Sequence, residues 1–146
     1  NRTGTLLPGV EPLLHELHSR SHVALGLLTG NLERGARLKL THYGVAHFFP
    51  FGAFADDHHD RNALGEFAQQ RATALHGVRF DPARTTIIGD TPHDVSCARA
   101  IGARVLAVAT GAFSADALEK CNPDAVLENL SDLGSALNAL NESSAV

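Results

Sequence analysis

Apolar residues along this chain alternate between helical spacing and short continuous runs. Helical spacing, with apolar side chains three or four positions apart, predicts helices over residues 8–20, 32–43, 62–76, 91–101, 114–120 and 131–140. Short apolar runs predict buried strands over residues 22–29, 85–88, 105–108 and 125–127. The aromatic stretch 45–54 is predicted to hold one more short strand and a loop. Strands and helices therefore alternate along the chain.

This alternation predicts the fold class. A strand, a helix and a parallel strand connect by right-handed crossovers, which place helices on both faces of a mainly parallel sheet. The 146 residues suffice for one core but not for two full domains. We predict a single α/β domain over residues 1–146, a three-layer Rossmann-like sandwich, with residues 141–146 as a disordered tail.

Charge and hydropathy exclude several partners. The formal net charge is -4 and the basic residues are scattered, so no basic stripe suggests a nucleic-acid partner. The apolar run 103–109 is interrupted by Arg104 and is too short to span a bilayer, so we expect no membrane partner and a cytoplasmic location. Cys97 and Cys121 match no zinc or redox spacing and are predicted to be small apolar side chains in helices.

Polar residues follow two of the predicted buried strands. Thr29, Gly30 and Asn31 end the first strand, and Gly89 and Asp90 end the strand at 85–88. Ligands of parallel sheets bind outside the carboxyl ends of the strands, where helix N-termini also point their free amides. A hydroxyl group with closely approaching backbone amides suits an oxyanion. We therefore predict the functional site at this edge of the sheet.

Two carboxylates near this edge, Asp90 and Asp94, suit a hard divalent cation. Magnesium takes oxygen ligands and is usually held by one or two carboxylates together with phosphate and water. The second carboxylate has an alternative explanation, because Thr91 is a good N-cap, Pro92 suits the first helical position, and Asp94 follows the cap by three residues as in a capping box. That explanation leaves Asp90 unaccounted for.

Two strings of residues carry a resemblance to a known family. IIGDTPHD at 87–94 resembles the acidic fourth motif of the haloacid dehalogenase superfamily, and LLTGN at 27–31 resembles its second motif. Residues 8–14 resemble the helix before the second motif, and residues 105–111 resemble the strand and turn after the fourth. The resemblance extends over residues 8–140 and is strongest to phosphoglycolate phosphatase-like members.

The resemblance implies a magnesium-dependent phosphatase that hydrolyses a small phosphorylated metabolite through an aspartyl-phosphate. It implies Asp90 as a Mg²⁺ ligand and Asp94 as a second ligand or its neighbour. It also implies that Thr29 binds the phosphate together with the amides of Gly30 and Asn31. Thr29 and Asp90 thereby join the predicted catalytic residues.

The family's third motif is a basic residue near the start of the helix that precedes the fourth motif. Arg61 is our first candidate for this catalytic, phosphate-binding role, and Arg71, inside the helix, is the second. A guanidinium group suits the role because its planar fork donates two hydrogen bonds at once. The neighbouring DDHHD string at 56–60 invites a transition-metal interpretation, but we interpret it as a solvated polar loop.

The nucleophile that the resemblance implies is missing. The family carries it in a DxDGT sequence on the central strand, whereas the nearest string here, NRTGT at 1–5, has Asn1 and Thr3 at the carboxylate positions. We favour a motif and a cap domain upstream of this sequence, since the chain also contains no methionine. The alternative is a first motif that has decayed.

The missing strand has a structural consequence. In the family it lies between the strands that end here at Thr29 and Asp90. We therefore expect either another segment in that gap or a longer natural polypeptide. Two further functions remain open: a non-catalytic phosphate-binding or assembly module on the same fold, and a metal-independent haloacid dehalogenase, against which the acidic pair argues.

Overall fold

A computed structural model describes residues 6–141 of the chain. Within this range the helices are α1 Val10–His18, α2 Glu33–His42, α3 Leu64–His76, α4 Pro92–Ala100, α5 Ala115–Glu119 and α6 Leu133–Ala139. The strands are β1 Gly26–Leu28, β2 Phe51–Ala53, β3 Thr86–Gly89, β4 Arg104–Val108 and β5 Ala125–Leu127. The NRTGT string at residues 1–5, and residues 142–146 of the predicted tail, lie outside the described residues.

The helices form where apolar spacing predicts them. Leu13, Leu14 and Leu17 of α1 are buried, as their spacing predicts. Asp132 starts α6 by accepting a hydrogen bond on Oδ1 from the backbone N–H of Ser135 at 3.2 Å. In α3, Leu64 and Ala72 are buried, whereas Leu75 is 53% exposed. No helix among residues 6–141 has the length and apolar character needed to cross a membrane.

The strands form two separate parallel sheets within the described range. In the first, β1 pairs with β2, with Leu27 opposite Gly52. In the second, the strand order is β3-β4-β5, with Ile87 opposite Val105 and Ala107 opposite Val126. One edge of β1 and one edge of β3 therefore pair with no described strand.

These open edges correct two predictions. The strand predicted over residues 22–29 shortens to three residues, and its Gly26 is exposed. The strand predicted as buried at 85–88 has Ile88 41% exposed. Parallel strands are buried when neighbours and helices surround them, and here each strand has a neighbour on only one side. The open edges belong to the two strands between which we expect a further segment, and that expectation stays a prediction.

The helices still complete one α/β sandwich, which confirms the predicted fold class. Helix α3 packs on β1 and β2, α4 packs on β3 and β4, and α3 contacts α4. Helices α1 and α6 form another core in which Leu13 and Leu17 meet Ala136 and Leu137, with Leu127 of β5 packed against them. Both sheets therefore present their carboxyl ends to the α2, α3 and α4 N-termini.

Candidate functional site

The end of β1 supplies a short polar loop. The backbone N–H of Thr29 donates to the carbonyl of Ala53 at 3.2 Å and so extends the pairing with β2. The N–H of Asn31 donates to Oγ1 of Thr29 at 3.1 Å. The Thr29 hydroxyl therefore keeps its proton for another acceptor. The predicted role of the Asn31 amide conflicts with this bond, whereas the N–H of Gly30 has no acceptor within the described part of the chain.

Arg61 reaches this loop from a short 3₁₀ turn, Arg61–Ala63, that precedes α3. Asp60 begins the turn by accepting a hydrogen bond on Oδ1 from the N–H of Asn62 at 2.9 Å. The buried thiol of Cys97 donates to the carbonyl of Arg61 at 3.4 Å and holds the backbone of the turn against α4. Cδ and Nε of Arg61 lie 3.7 Å from where a Cβ atom on Gly30 would stand. The guanidinium group thus lies beside the end of β1.

Asp94 joins Arg61 to the end of β3. Nη2 of Arg61 donates to Oδ1 of Asp94 at 2.9 Å, and the Asp94 side chain is 8% exposed. The other oxygen, Oδ2, accepts from the N–H and from the hydroxyl of Thr91, both at 3.0 Å. The bond from the Thr91 N–H is the half of a capping box that the sequence predicted for α4.

Asp90 occupies a different environment, directly after β3. It lines a cavity of about 250 Å³ together with Gly89, Val108 and Thr110. A Cβ atom on Gly111 would overlap its Oδ2, so the carboxylate lies directly against the backbone of that glycine. No hydrogen bond or ion pair joins Asp90 to another residue in the described range 6–141.

Arg71, the second candidate for the third motif, binds Asp57 and the backbone of β2. Its Nη1 and Nη2 each donate to a carboxylate oxygen of Asp57 at 2.6 Å, and Nη1 also donates to the carbonyl of Gly52 at 2.8 Å. The Arg71 guanidinium beside Asp57, together with the Phe54 N–H, holds the pKa of that carboxyl below its usual value, although burial opposes the shift. Arg71 thereby ties α3 to the end of β2.

The DDHHD loop at 56–60 is organised by hydrogen bonds of its own. Asp56 accepts from the N–H of Glu33 at 2.7 Å and so caps α2 from a distant part of the chain. Nδ1 of His58 accepts from the N–H of Asp60 at 2.9 Å, and the ring of His58 stacks on that of His59. No group of three His, Cys, Asp or Glu side chains in the described chain is placed to hold a metal ion.

The structure therefore assembles the predicted site residues in two parts. Gly30, Arg61 and Asp94 come together between the ends of β1 and β3, and Asp90 lies at the cavity. Sequence reasoning missed Gly111, which supports the Asp90 carboxylate. The sequence signal for it was the Thr110-Gly111 pair, which follows β4 after one residue, since a glycine there permits close approach of a neighbouring side chain.

Sequence comparison finds a protein family and individual proteins to which this chain is similar. A family model described as HAD-hydrolase-like matches residues 64–133. Phosphoglycolate phosphatase from Synechococcus elongatus is 32% identical over 136 residues, which cover 92% of this chain and 60% of that protein. The chain belongs to the haloacid dehalogenase-like hydrolases.

Another relative of this haloacid dehalogenase-like chain has a different named activity. Tyrosine-protein kinase PtkA from Mycobacterium tuberculosis is 33% identical over 122 residues, which cover 84% of the chain and 40% of PtkA. A putative β-phosphoglucomutase from Thermotoga maritima superposes with a TM-score of 0.75 at 20% identity, over 90% of this chain and 59% of that one. This last likeness shows the shared fold.

The chain spans only part of these haloacid dehalogenase-like relatives, 60% of the Synechococcus enzyme and 40% of PtkA. Strand β3 lies inside residues 64–133, which the family model matches, and β1 lies before them. The fold and family are therefore established for this chain, whereas the activity of the whole protein is a matter for proposal.

A magnesium ion at the α4 N-terminus would need carboxylate oxygens that are available to bind it. Asp90 fits, because its carboxylate lines a cavity and has no partner in the described range. Asp94 fits poorly, because both of its oxygens already accept hydrogen bonds from Arg61 and Thr91. One available carboxylate is within the normal range for magnesium, which completes its shell with phosphate and water.

Proposed function

We propose that the protein is a magnesium-dependent phosphatase that hydrolyses a small phosphomonoester. The observation that carries this proposal is the unpaired Nε of Arg61. Its Nε is buried and has no hydrogen-bond acceptor in the described chain, while the neighbouring Nη2 is paired. A buried donor without an acceptor is costly, by about 1 to 3 kcal/mol, and a phosphate oxygen beside Gly30 would satisfy it.

The residues of the chain divide the work around that phosphate. Arg61 neutralises its charge through the remaining donors of its fork, and the Thr29 hydroxyl and the Gly30 N–H donate from the end of β1. Asp90 would hold Mg²⁺, which supplies charge stabilisation to the phosphoryl oxygens when bound. Positively charged and hydrogen-bonding groups of this kind lower the barrier because they are in place before the reaction.

The nucleophile in this proposal is an aspartate outside the described residues. Its carboxylate attacks phosphorus and expels the alcohol, and water then cleaves the aspartyl-phosphate to release inorganic phosphate and regenerate the carboxylate. The gap between β1 and β3 supports this assignment. Two parallel strands with unpaired edges would accept one extended segment, and its carboxyl end would emerge between Arg61 and Asp90.

The test is turnover of p-nitrophenyl phosphate by the natural full-length protein, with and without Mg²⁺. We expect Mg²⁺-dependent hydrolysis that falls about 100-fold or more in Arg61→Gln and in Asp90→Asn, the loss typical of removing one preorganised charged group. Arg79→Gln and Asp116→Asn are the matched controls, since both residues are exposed and their side chains make no hydrogen bond or ion pair in the described structure.

Trapping locates the nucleophile. Borohydride added during turnover should convert the phosphorylated aspartate to homoserine in a peptide that lies outside residues 6–141. Label on Asp90 or Asp94 would overturn the proposed arrangement. Phosphate binding without turnover would favour the non-catalytic module, and release of halide from a small haloacid without metal would favour the dehalogenase.

A further inference from the structure

Asp94 is the one charged residue that is buried within residues 6–141, at 5% exposure. A Cβ atom on Gly89 would overlap its Cγ, so the carboxylate lies directly on the backbone of β3. A buried carboxylate is costly unless it is paired and hydrogen-bonded. The contacts that compensate for its burial therefore indicate its task.

Those contacts give each oxygen of Asp94 a hydrogen-bond partner. Oδ1 accepts from Nη2 of Arg61 at 2.9 Å, and Oδ2 accepts from both donors of Thr91 at 3.0 Å. A magnesium ion binds carboxylate oxygen at about 2.0 to 2.1 Å, so a direct bond to Oδ1 would place the cation beside the positively charged Arg61 guanidinium group, which repels it. Helix capping accounts for the Thr91 bonds but not for the bond to Arg61.

Arg61 is held on two sides. Asp94 binds Nη2, and the methylene Cδ and Nε lie beside Gly30, 3.7 Å from where a Cβ atom on that glycine would stand. A guanidinium group is planar, so fixing one nitrogen and the stem fixes the direction of all the others. The donors that remain, including the unpaired Nε, are thereby set in one orientation at the end of β1.

We infer that Asp94 is a positioning residue for Arg61 rather than a ligand of the metal. It orients the guanidinium toward the phosphate and leaves Asp90 as the carboxylate that the described chain offers to Mg²⁺. This inference rests on the proposed phosphate site. It predicts that Asp94 and Asp90 act on different ligands, although they are only four residues apart.

Calorimetry on the natural full-length protein separates the two roles, with inorganic phosphate and Mg²⁺ titrated independently. Asp94→Asn should weaken phosphate binding about tenfold, a coupling within the usual range for residues in direct contact, and should change the Mg²⁺ dissociation constant by less than about twofold. Asp90→Asn should weaken Mg²⁺ binding about tenfold or more. Asp132→Asn, which alters the cap of the distant α6, should change neither.

The double variant Arg61→Gln with Asp94→Asn decides whether Asp94 acts through Arg61. We expect the second substitution to add nothing to phosphate binding once Arg61 is gone. An additional loss in the double variant would overturn the inference, as would a loss of Mg²⁺ affinity in Asp94→Asn equal to that in Asp90→Asn.

A measurement on the wild type covers the case in which Asp94→Asn does not fold. In the ¹³C spectrum, Mg²⁺ should shift the carboxyl resonance of Asp90 and leave that of Asp94 in place, and phosphate alone should shift the Nε–H resonance of Arg61. Equal Mg²⁺-induced shifts at both carboxylates would contradict the assignment. Absence of turnover in the wild type would refute the proposed phosphatase, while these binding readouts would still decide the role of Asp94.

Discussion

Arg61 donates to the buried carboxylate of Asp94 at 2.9 Å across 33 positions of the chain. The bond joins the turn before α3 to the first turn of α4, and therefore connects the helix that covers β1 and β2 to the helix that covers β3 and β4. The described strands of the two sheets share no ladder, so this ion pair and the α3–α4 contact are links between the two halves of the fold.

The close approach of Asp94 to Gly89 leads to a first prediction. Gly89→Ala should lower the free energy of unfolding by about 1 to 3 kcal/mol, the usual cost of overpacking, because the added methyl group would overlap the Asp94 side chain. Displacing Asp94 should also loosen Arg61. Urea unfolding measures the first effect, and the affinity for inorganic phosphate measures the second.

Gly35→Ala is the matched control for this substitution. Gly35 lies in α2, and a Cβ atom there would meet nothing within 4 Å. Replacing a glycine inside a helix by alanine stabilises by about 0.5 to 1 kcal/mol, so the control should shift stability in the opposite direction. Equal effects of the two alanines would show that Gly89 has no special packing constraint.

The ion pair of Asp57 and Arg71 leads to a second prediction, which concerns pH. The two-point hydrogen bond with Arg71 lowers the pKa of Asp57 from its ordinary 3.8, and the same contact raises the pKa of Arg71. A carboxyl with a lowered folded-state pKa stabilises the fold above the unfolded value and loses that contribution as the pH falls through the folded value. Its stabilisation should therefore be complete at pH 7 and should diminish below 3.8.

Asp57→Asn tests this sign. We expect a loss of about 1 kcal/mol at pH 7, near the upper end for ion pairs with one exposed partner, because Arg71 is 41% exposed and water screens the pair. The difference from the wild type should shrink as the pH is lowered below 3.8 in urea titrations. Glu119→Gln, an exposed carboxyl without a side-chain contact in the described structure, should show no such trend. A difference that grew on acidification would disprove the assignment.

Cys97 leads to a third prediction. Its side chain is fully buried, donates to the carbonyl of Arg61, and has a thiol pKa raised by burial. A buried thiol with a raised pKa provides little thiolate and no access for a reagent. In the native protein, Ellman's reagent should modify Cys97 only on the timescale of unfolding, whereas Cys121 is partly exposed and should react first.

The variant Cys121→Ser isolates this behaviour among the cysteines of residues 6–141. We expect the fast phase assigned to that thiol to disappear, while the slow Cys97 phase remains and accelerates in denaturant. Fast labelling of Cys97 in the folded variant would mean that the contact between the Arg61 turn and α4 opens readily.

Several features were predictable because they depend on neighbours in sequence. The apolar spacing of α1, the return half of the capping box between Thr91 and Asp94, and the glycine at the end of α3 each follow from residues within one or two helical turns. The polar residues at the ends of β1 and β3 were likewise visible, because strand ends are marked by a change from apolar to polar residues.

Other features depend on what lies across the fold. The apolar run of β3 predicted a buried strand, yet Ile88 is 41% exposed, and β3 pairs with a described strand on only one side. Asp56 caps α2 from 23 positions away, and no sequence pattern near Glu33 predicts this hydrogen bond. The choice between Arg61 and Arg71 was also open, since both belong to the same stretch of basic and helical residues.

The sequence by itself determined the alternation of strands and helices, and with it the α/β class and the edge of the sheet that carries the site. Only the tertiary structure decided which partner each charged side chain has: Asp94 for Arg61, Asp57 for Arg71, and none for Asp90 in the described range. The physical reason is that helix and strand periods arise from local backbone geometry, whereas a buried charge is compensated by whichever opposite charge the packing of distant elements brings within reach.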